Sequence, residues 1–218
     1  MKQIVIQGGN KLNGTIKISG AKNSAVALIP ASILADDVVK IDNIPNISDI
    51  SALNEILEFL GAEVTLKDGL MTIDPKNLKN KDIPKEVSSK LRASYYFMSA
   101  LLGKYKSVEM YFPGGCNIGA RPIDQTLKGY KALGAKVEEK DNKFKITAER
   151  LIGGHVYLDM PSVGATINTM LVAVKAKGIT IIENAAKEPE IVNVATFLNT
   201  MGAKITGAGT SEIRINGV

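Results

Sequence analysis

A unit of roughly 70 residues occurs three times in this 218-residue chain and restricts the folds available to it. Each copy has an amphipathic helical pattern closed by a glycine and followed directly by a predicted strand. The closing glycines, Gly61, Gly134 and Gly202, are 73 and 68 residues apart. Glycine just past the last helical turn accepts the left-handed conformation that ends a helix. Three similar units therefore fill the chain.

A β-hairpin pattern follows each of these helices. Apolar and polar residues alternate around turn residues at 67–69, 141–142 and 207–209, where Gly, Asn and Asp are concentrated. Alternation of this kind is typical of half-buried antiparallel strands joined by a tight turn. We therefore predict two paired strands at the end of every unit.

A second type of helix precedes each amphipathic one and is apolar on nearly all sides. These helices are predicted at 25–35, 93–102 and 165–174, and apolar strands follow at 38–41, 108–112 and 179–182. A helix with no polar face has to be enclosed. Three such helices can be hidden together, with the sheets and amphipathic helices outside, which predicts one α/β (α+β) domain of three repeats around buried helices. The helices of the alternative, a doubly wound sheet, would each show a polar face.

Composition limits the class of protein. With 45% hydrophobic and 22% charged residues, and without an apolar run long enough to span a bilayer, the chain is expected to be soluble and to have no membrane partner. One cysteine allows no internal disulfide, which fits a cytoplasmic location. One cysteine and one histidine cannot supply a four-ligand zinc site, and we predict no metal.

The net charge of +5 indicates the kind of partner. Its lysines are scattered among acidic residues, and aromatic residues are only 5%, so the basic stripe and stacking residues of nucleic-acid binders are missing. No nucleic-acid partner is expected. A mild positive excess suits an anionic small molecule.

Cations stand at the predicted starts of two buried helices. Lys22 opens the first and Arg92 the second, whereas the third begins at Ser162, a good helix cap, followed by Gly164. If the three helices run parallel, their free amide groups meet at one end and favour an anion there. A cation at a helix start opposes the helix dipole, so its recurrence in two units favours ligand binding over a solvated surface.

The most unusual segment is 113–122, Pro-Gly-Gly-Cys-Asn-Ile-Gly-Ala-Arg-Pro. Its glycines disfavour helix and strand and predict a loop with exposed backbone. Cys116 is the single cysteine; it would be either an inert buried residue or, within such a loop, an accessible thiol. Arg121 is one of few arginines, and its forked guanidinium suits a phosphate.

These motifs carry a family resemblance. Ser-Gly-Ala-Lys-Asn at 19–23, Leu-Arg-Ala-Ser at 91–94, the segment 113–122 and Ser-Val-Gly-Ala-Thr at 162–166 closely resemble UDP-N-acetylglucosamine 1-carboxyvinyltransferases along the whole chain. The resemblance implies an inside-out α/β barrel of three βαβαββ-type repeats. It implies transfer of the enolpyruvyl group of phosphoenolpyruvate to the 3-hydroxyl of UDP-N-acetylglucosamine, the first committed step of peptidoglycan precursor synthesis. No cofactor is implied.

The resemblance also implies roles for residues. Cys116 would be the general acid that protonates phosphoenolpyruvate, Lys22 would hold its phosphate, and Asn23 would orient the reacting hydroxyl. The residues expected to contact the substrates, mainly the UDP-sugar, are Lys22, Asn23, Arg92, Arg121, Pro122, Ile123, Asp124, Gln125, Ser162, Val163 and Gly164.

Members of this family are about twice as long and have a second, similar domain that supplies the base. By resemblance, residues 1–21 belong partly to that domain, and 22–218 form the repeat domain with the catalytic loop. We expect half an active site that is inactive alone. The alternatives are an isolated UDP-sugar or phosphate-binding module without turnover, and a repeat protein that binds another protein.

Overall fold

A computed structural model describes residues 3–89, 91–112 and 123–218. The helices are α1 (Lys22–Ala31), α2 (Ser48–Leu60), α3 (Lys85–Ser88), α4 (Tyr95–Tyr105), α5 (Asp124–Ala132), α6 (Val163–Ala173) and α7 (Pro189–Thr200). The strands are β1 (Val39–Ile41), β2 (Glu63–Lys67), β3 (Leu70–Asp74), β4 (Ser107–Tyr111), β5 (Lys136–Lys140), β6 (Lys143–Thr147), β7 (His155–Tyr157), β8 (Ile179–Glu183), β9 (Lys204–Thr206) and β10 (Glu212–Asn216). Two 3-10 turns, Ser32–Leu34 and Arg92–Ser94, adjoin α1 and α4.

The described strands form three separate sheets, one for each repeat. Their orders are β1-β3-β2, β4-β6-β5 and β7-β8-β10-β9. In each sheet the last strand of the hairpin lies in the middle and pairs antiparallel with both neighbours, while β7 adds to the third sheet parallel to β8. The three predicted hairpins are confirmed.

The apolar helices α1, α4 and α6 form the centre of the domain, and most of their residues are buried. Helix α4 packs against both α1 and α6, while the outer helix α7 packs on α1 and the outer helix α5 packs on α6. The sheets lie outside this group. The helix-centred arrangement of three repeats is therefore confirmed.

The amphipathic helices end where their glycines predict. Gly61, Gly134 and Gly202 adopt φ values of 99°, 91° and 99°, the left-handed region that costs a glycine nothing. At the start of α6, the Ser162 hydroxyl accepts a hydrogen bond from the Ala165 N–H at 3.3 Å. The ends of the amphipathic helices and the start of α6 thus follow local sequence signals.

The three central helices run in the same direction. At their starts, the Tyr95 hydroxyl of α4 lies against Gly164 of α6, and near their ends Gly103 of α4 approaches the Leu171 carbonyl of α6. Lys104, near the end of α4, donates to the carbonyl of Ala35 just beyond α1 at 2.6 Å. The starts of α1, α4 and α6 therefore share one end of the domain, which we call the helix-start face.

Residues 3–20 form neither helix nor strand and lie almost wholly exposed. Their apolar side chains include Ile4 and Leu12, which are 91% and 92% exposed. The assignment of residues 1–21 to a second domain stays a prediction. In the described part of the chain, no helix is both long and apolar enough to cross a membrane.

Candidate functional site on the helix-start face

Lys22 is the first residue of α1, and a carboxylate holds its ammonium group. Its Nζ lies 2.7 Å from Oδ1 of Asp49, which stands in the first turn of α2. The Lys22 side chain is 55% exposed and that of Asp49 is 18% exposed. The cation is therefore oriented from one side and still open to solvent on the other.

Asn23 is held in a similar way by the third repeat. Its Nδ2 donates to Oε1 of Glu190 at 3.0 Å, and the neighbouring Ser24 hydroxyl donates to Oδ1 of Asn193 at 2.8 Å. Both partners belong to α7. The start of α1 is thus fixed by residues almost 170 positions away.

The carboxylates at this face follow the repeat. Each outer helix carries an acidic residue in its first turn: Asp49 in α2, Asp124 in α5 and Glu190 in α7. An acid there complements the helix dipole. The sequence interpretation did not select Asp49, although an acid at the same place in all three repeats was the signal that could have found it.

Arg92 and two tyrosines lie between the starts of α1 and α6. The Arg92 guanidinium carbon is 5.9 Å from the centre of the Tyr95 ring, and the rings of Tyr95 and Tyr96 are 4.6 Å apart. Burial raises the pKa of the Tyr95 hydroxyl and raises that of Tyr96 well above its usual value, the latter with smaller contributions from Tyr95 and Glu190. Both phenols are therefore neutral near pH 7.

Gly164 has a packing reason in this structure. A Cβ atom built there would lie 1.8 Å from the Tyr95 hydroxyl oxygen. The Tyr95 hydroxyl therefore occupies the space that a side chain at position 164 would need. Ser162 and Val163 beside it are half-buried.

At the start of α5, the side chains of the predicted site residues differ in how accessible they are to a ligand. Ile123 is only 5% exposed and packs in the core, whereas the Asp124 side chain is exposed. Gln125 is buried and is held at both ends by Asp159: its Nε2 donates to Oδ2 at 3.0 Å and its Oε1 accepts from the backbone N–H at 2.9 Å. Gln125 therefore joins α5 to the segment before α6.

Asp159 also forms an ion pair with Lys128. Nζ of Lys128 lies 2.6 Å from its Oδ1, and the hydrogen bonds from Lys128 and Gln125 lower the pKa of the carboxyl group. Asp159 is thus ionised near neutral pH and links two residues of α5.

A cleft of about 380 Å³ opens beside Asp49. Its lining is mostly polar and consists of α2 residues together with Leu91, the neighbour of Arg92: Ser48, Asp49, Ser51, Ala52, Glu55 and Leu91. It extends the helix-start face on the side of the first repeat.

Three predicted site residues, Cys116, Arg121 and Pro122, lie outside the described residues. The others fall into two groups, one around the start of α1 and one around the starts of α5 and α6. Tyr95 and Tyr96 connect the groups. Tyr95 contacts Gly164, and the charge of Glu190 contributes to the raised pKa of Tyr96. Among residues 3–89, 91–112 and 123–218, His, Cys, Asp and Glu form no group of three that could hold a metal ion.

Comparison with known proteins places this geometry in a family. The family model described as EPSP synthase (3-phosphoshikimate 1-carboxyvinyltransferase) matches residues 6–218. UDP-N-acetylglucosamine 1-carboxyvinyltransferase 2 of Bacillus subtilis (strain 168) is 56% identical over 218 residues, and that of Bacillus anthracis is 55% identical over 219. Each alignment covers 100% of this chain and 51% of the relative, so the chain spans about half the length of the curated relatives it matches.

A solved structure shows the same fold. The enolpyruvyl transferase NikO from Streptomyces tendae superposes with a TM-score of 0.83 at 25% identity, over 97% of this chain and 50% of that one. The resemblance seen in the sequence motifs is therefore matched by the overall fold.

Proposed function

Because the chain belongs to the EPSP synthase family of enolpyruvyl transferases, we propose that it carries the helix-start half of the active site of a UDP-N-acetylglucosamine 1-carboxyvinyltransferase. The observation that carries the proposal is the pairing of Lys22 and Asn23 at the first turn of α1. A cation and an amide stand there beside the starts of α4 and α6, where an anionic substrate is favoured.

The reaction has two stages. The 3-hydroxyl oxygen of the sugar bonds to C2 of phosphoenolpyruvate and loses its proton, while the methylene carbon gains one. Loss of phosphate and of a methyl proton then restores the vinyl group, now on the sugar. The site must therefore hold a phosphate, orient a hydroxyl and move protons at carbon and oxygen.

Lys22 is suited to the phosphate. Its exposed ammonium group is compact and carries three donors, and Asp49 fixes its direction without enclosing it. Asn23 is suited to the hydroxyl, because Glu190 takes one of its amide hydrogens and so sets the orientation of the amide.

The UDP-sugar is assigned to the starts of α5 and α6. Asp124 is exposed there, and the first turn of α6 offers Ser162 and the backbone of 162–164. Ile123 and Gln125 would act through backbone groups, since one side chain is in the core and the other is bound to Asp159. Arg92 lies beside this group on the Tyr95 ring.

The remaining roles rest on the resemblance of the segment 113–122. Cys116 would donate the proton to the methylene carbon, and Arg121, with Pro122, would serve the anionic groups of the substrates. Peptidoglycan precursor synthesis in the cytoplasm follows from the same resemblance.

A general base is the part that the described residues do not supply. Asp49 and Glu190 are the carboxylates in contact with Lys22 and Asn23, and each is already bound to one of these two residues. Since the chain also spans half the length of its relatives, we propose that it does not turn over alone. Loss of a general base costs about two to four orders of magnitude in rate.

The test is an assay of phosphate release by the 218-residue chain with both substrates, together with calorimetric titration of UDP-N-acetylglucosamine. We expect binding without turnover, and recovery of turnover when the other half of a homologous enzyme is added in trans. A Cys116→Ala variant should bind but not recover. Binding without any recovery in trans would favour the alternative, a UDP-sugar-binding module; absence of binding would contradict both.

A further inference from the structure

We infer that the buried side chains of Tyr130, Ser99 and Asn168 act together as a positioning element: they set the first turn of α6 against helix α5. This inference rests on the proposed function, because the starts of α5 and α6 are assigned to the UDP-sugar. The three residues lie on α5, α4 and α6 respectively and have no solvent exposure. We call them the Tyr-Ser-Asn relay.

The relay is a directed chain of hydrogen bonds. The Tyr130 hydroxyl and the Ser99 hydroxyl oxygen are 2.5 Å apart, and Ser99 donates to Oδ1 of Asn168. Nδ2 of Asn168 then donates to the Gly164 carbonyl at 2.8 Å. Because the Ser99 proton points to Asn168, Tyr130 has to be the donor to Ser99. The relay therefore leads from α5, through α4, to the first turn of α6.

Each group in the relay has a fixed role. Burial raises the pKa of the Tyr130 hydroxyl, which keeps it protonated and able to donate. The amide of Asn168 cannot turn over without placing its oxygen against the Gly164 carbonyl. One orientation of the amide is thus selected.

The helices around the relay leave little room for adjustment. A Cβ atom at Gly129 of α5 would lie 2.1 Å from Oγ1 of Thr169, and one at Gly103 of α4 would lie 3.1 Å from the Leu171 carbonyl. Both neighbours belong to α6. Helix α6 is therefore in close contact with α5 on one side and α4 on the other. A shift of α5 at Tyr130 would displace α6 as well.

A second link joins the start of α5 to the segment before α6. Gln125, in the first turn of α5, holds Asp159, three residues before Ser162, by two hydrogen bonds. The relay is the inner link and Gln125–Asp159 the outer one. The relay holds α5 near its end, through Tyr130, and the Gln125–Asp159 link holds it at its start. Together the two links fix both the distance and the angle between α5 and α6.

Burying a polar relay in this space carries an unfavourable desolvation free energy. Three polar side chains without exposure lose their hydration, and apolar residues would pack there without that cost. Full hydrogen bonding offsets the loss and adds what an apolar core lacks, a directional constraint on one backbone carbonyl. That carbonyl belongs to Gly164, one of the residues assigned to the sugar nucleotide.

The test compares Tyr130→Phe with Tyr105→Phe. Tyr105 ends α4 at the opposite end, where its hydroxyl donates to the Leu78 carbonyl at 3.0 Å, so each variant loses one phenol hydrogen bond. In calorimetric titration with UDP-N-acetylglucosamine we expect Kd to rise about tenfold for Tyr130→Phe and less than about twofold for Tyr105→Phe. Equal Kd values with lowered Tm values would show a purely structural role and overturn the inference.

Hydrogen exchange tests the positioning role without a ligand. The Thr166 amide bonds to the Ser162 carbonyl in the first turn of α6, and the Ile191 amide bonds to Glu188 at the start of α7. Tyr130→Phe should speed exchange at Thr166 and leave Ile191 unchanged. If the parent chain does not bind UDP-N-acetylglucosamine, the proposed function is wrong, and the Thr166 exchange still decides the positioning role. Unchanged exchange would overturn it.

A double variant tests whether the relay acts as one unit. Once Tyr130→Phe has broken it, Ser99→Ala should add little to the loss at Thr166, because residues of one network are not additive. Fully additive effects on exchange would mean that the two hydroxyls act separately, contrary to the inference.

Discussion

Nζ of Lys22 lies 2.7 Å from Oδ1 of Asp49, so the residue proposed to bind phosphate is already paired with a carboxylate. An incoming phosphate and Asp49 are both negative and would share one ammonium group. Asp49 thus fixes the direction of Lys22 and at the same time lowers its attraction for an anion. The two effects can be separated by substitution.

Asp49→Asn should strengthen binding of inorganic phosphate. The variant keeps a side chain of similar shape and removes the repelling charge; for a partly exposed pair this corresponds to roughly a two- to fivefold fall in Kd. Lys22→Ala should abolish the effect of phosphate on Tm. The measurement is the rise of Tm with phosphate concentration at low ionic strength.

A similar ion pair at the other end of the domain provides the control for Asp49. Asp36 pairs with Lys104 at 3.0 Å just beyond the end of α1, and Asp36→Asn should leave phosphate binding unchanged. Weaker phosphate binding by Asp49→Asn would show that orientation of Lys22 outweighs the charge of Asp49, contrary to this prediction.

Gly164→Ala should destabilise the domain by about 1–3 kcal/mol, since the new methyl group would overlap the Tyr95 hydroxyl. Adding Tyr95→Phe should recover part of the loss. Denaturant unfolding of the single and double variants measures both effects. Gly8→Ala is the matched control, because nothing lies within 4 Å of a Cβ there, and its free energy of unfolding should not change. A neutral Gly164→Ala would show that Tyr95 can move aside freely.

Acid should remove the contribution of Asp159 to stability. Its pKa is lowered in the folded state by hydrogen bonds from Lys128 and Gln125, so the stabilisation is present above the unfolded pKa and is lost as pH falls through the folded pKa. Asp159→Asn should therefore melt below the parent chain at pH 7. The Tm difference should shrink as pH falls below about 4. A difference that persists at about pH 2 would assign the effect to packing.

Cys116 should react rapidly with a maleimide or a small epoxide. Side chains in glycine-rich segments are usually accessible to reagents. Because Cys116 is the single cysteine, its labelling gives an unambiguous mass shift. Mass spectrometry after brief labelling measures the rate, with the denatured chain as reference. Labelling that occurs only after denaturation would identify Cys116 as an inert buried thiol.

Local signals account for what could be predicted of the fold. Gly61, Gly134 and Gly202 end their helices in the left-handed conformation, and Ser162 caps α6, as their residue types indicate. These features depend on a few neighbouring residues, so one sequence reveals them. The helices that are apolar on all sides predicted the architecture, because a helix without a polar face has to be buried.

The candidate site was predictable only in part. Lys22 and Ser162 stand at helix starts that share one face, as expected from parallel buried helices. The availability of side chains was not predictable: Gln125 is bound on both sides by Asp159, and Ile123 is in the core. Spacing along one helix does not tell which neighbour from another repeat occupies a side chain.

Periodicity and helix ends are local properties, so one sequence was enough to predict the repeat, the class of fold and the shared end of the three central helices. Three contacts could be learned only from the packed domain: Asp49 with Lys22, Glu190 with Asn23, and Tyr95 in the space beside Gly164. Each of these contacts joins residues 27 to 167 positions apart. Their geometry depends on the angles at which whole helices pack, which result from the shape of the entire core and leave no trace in any single segment.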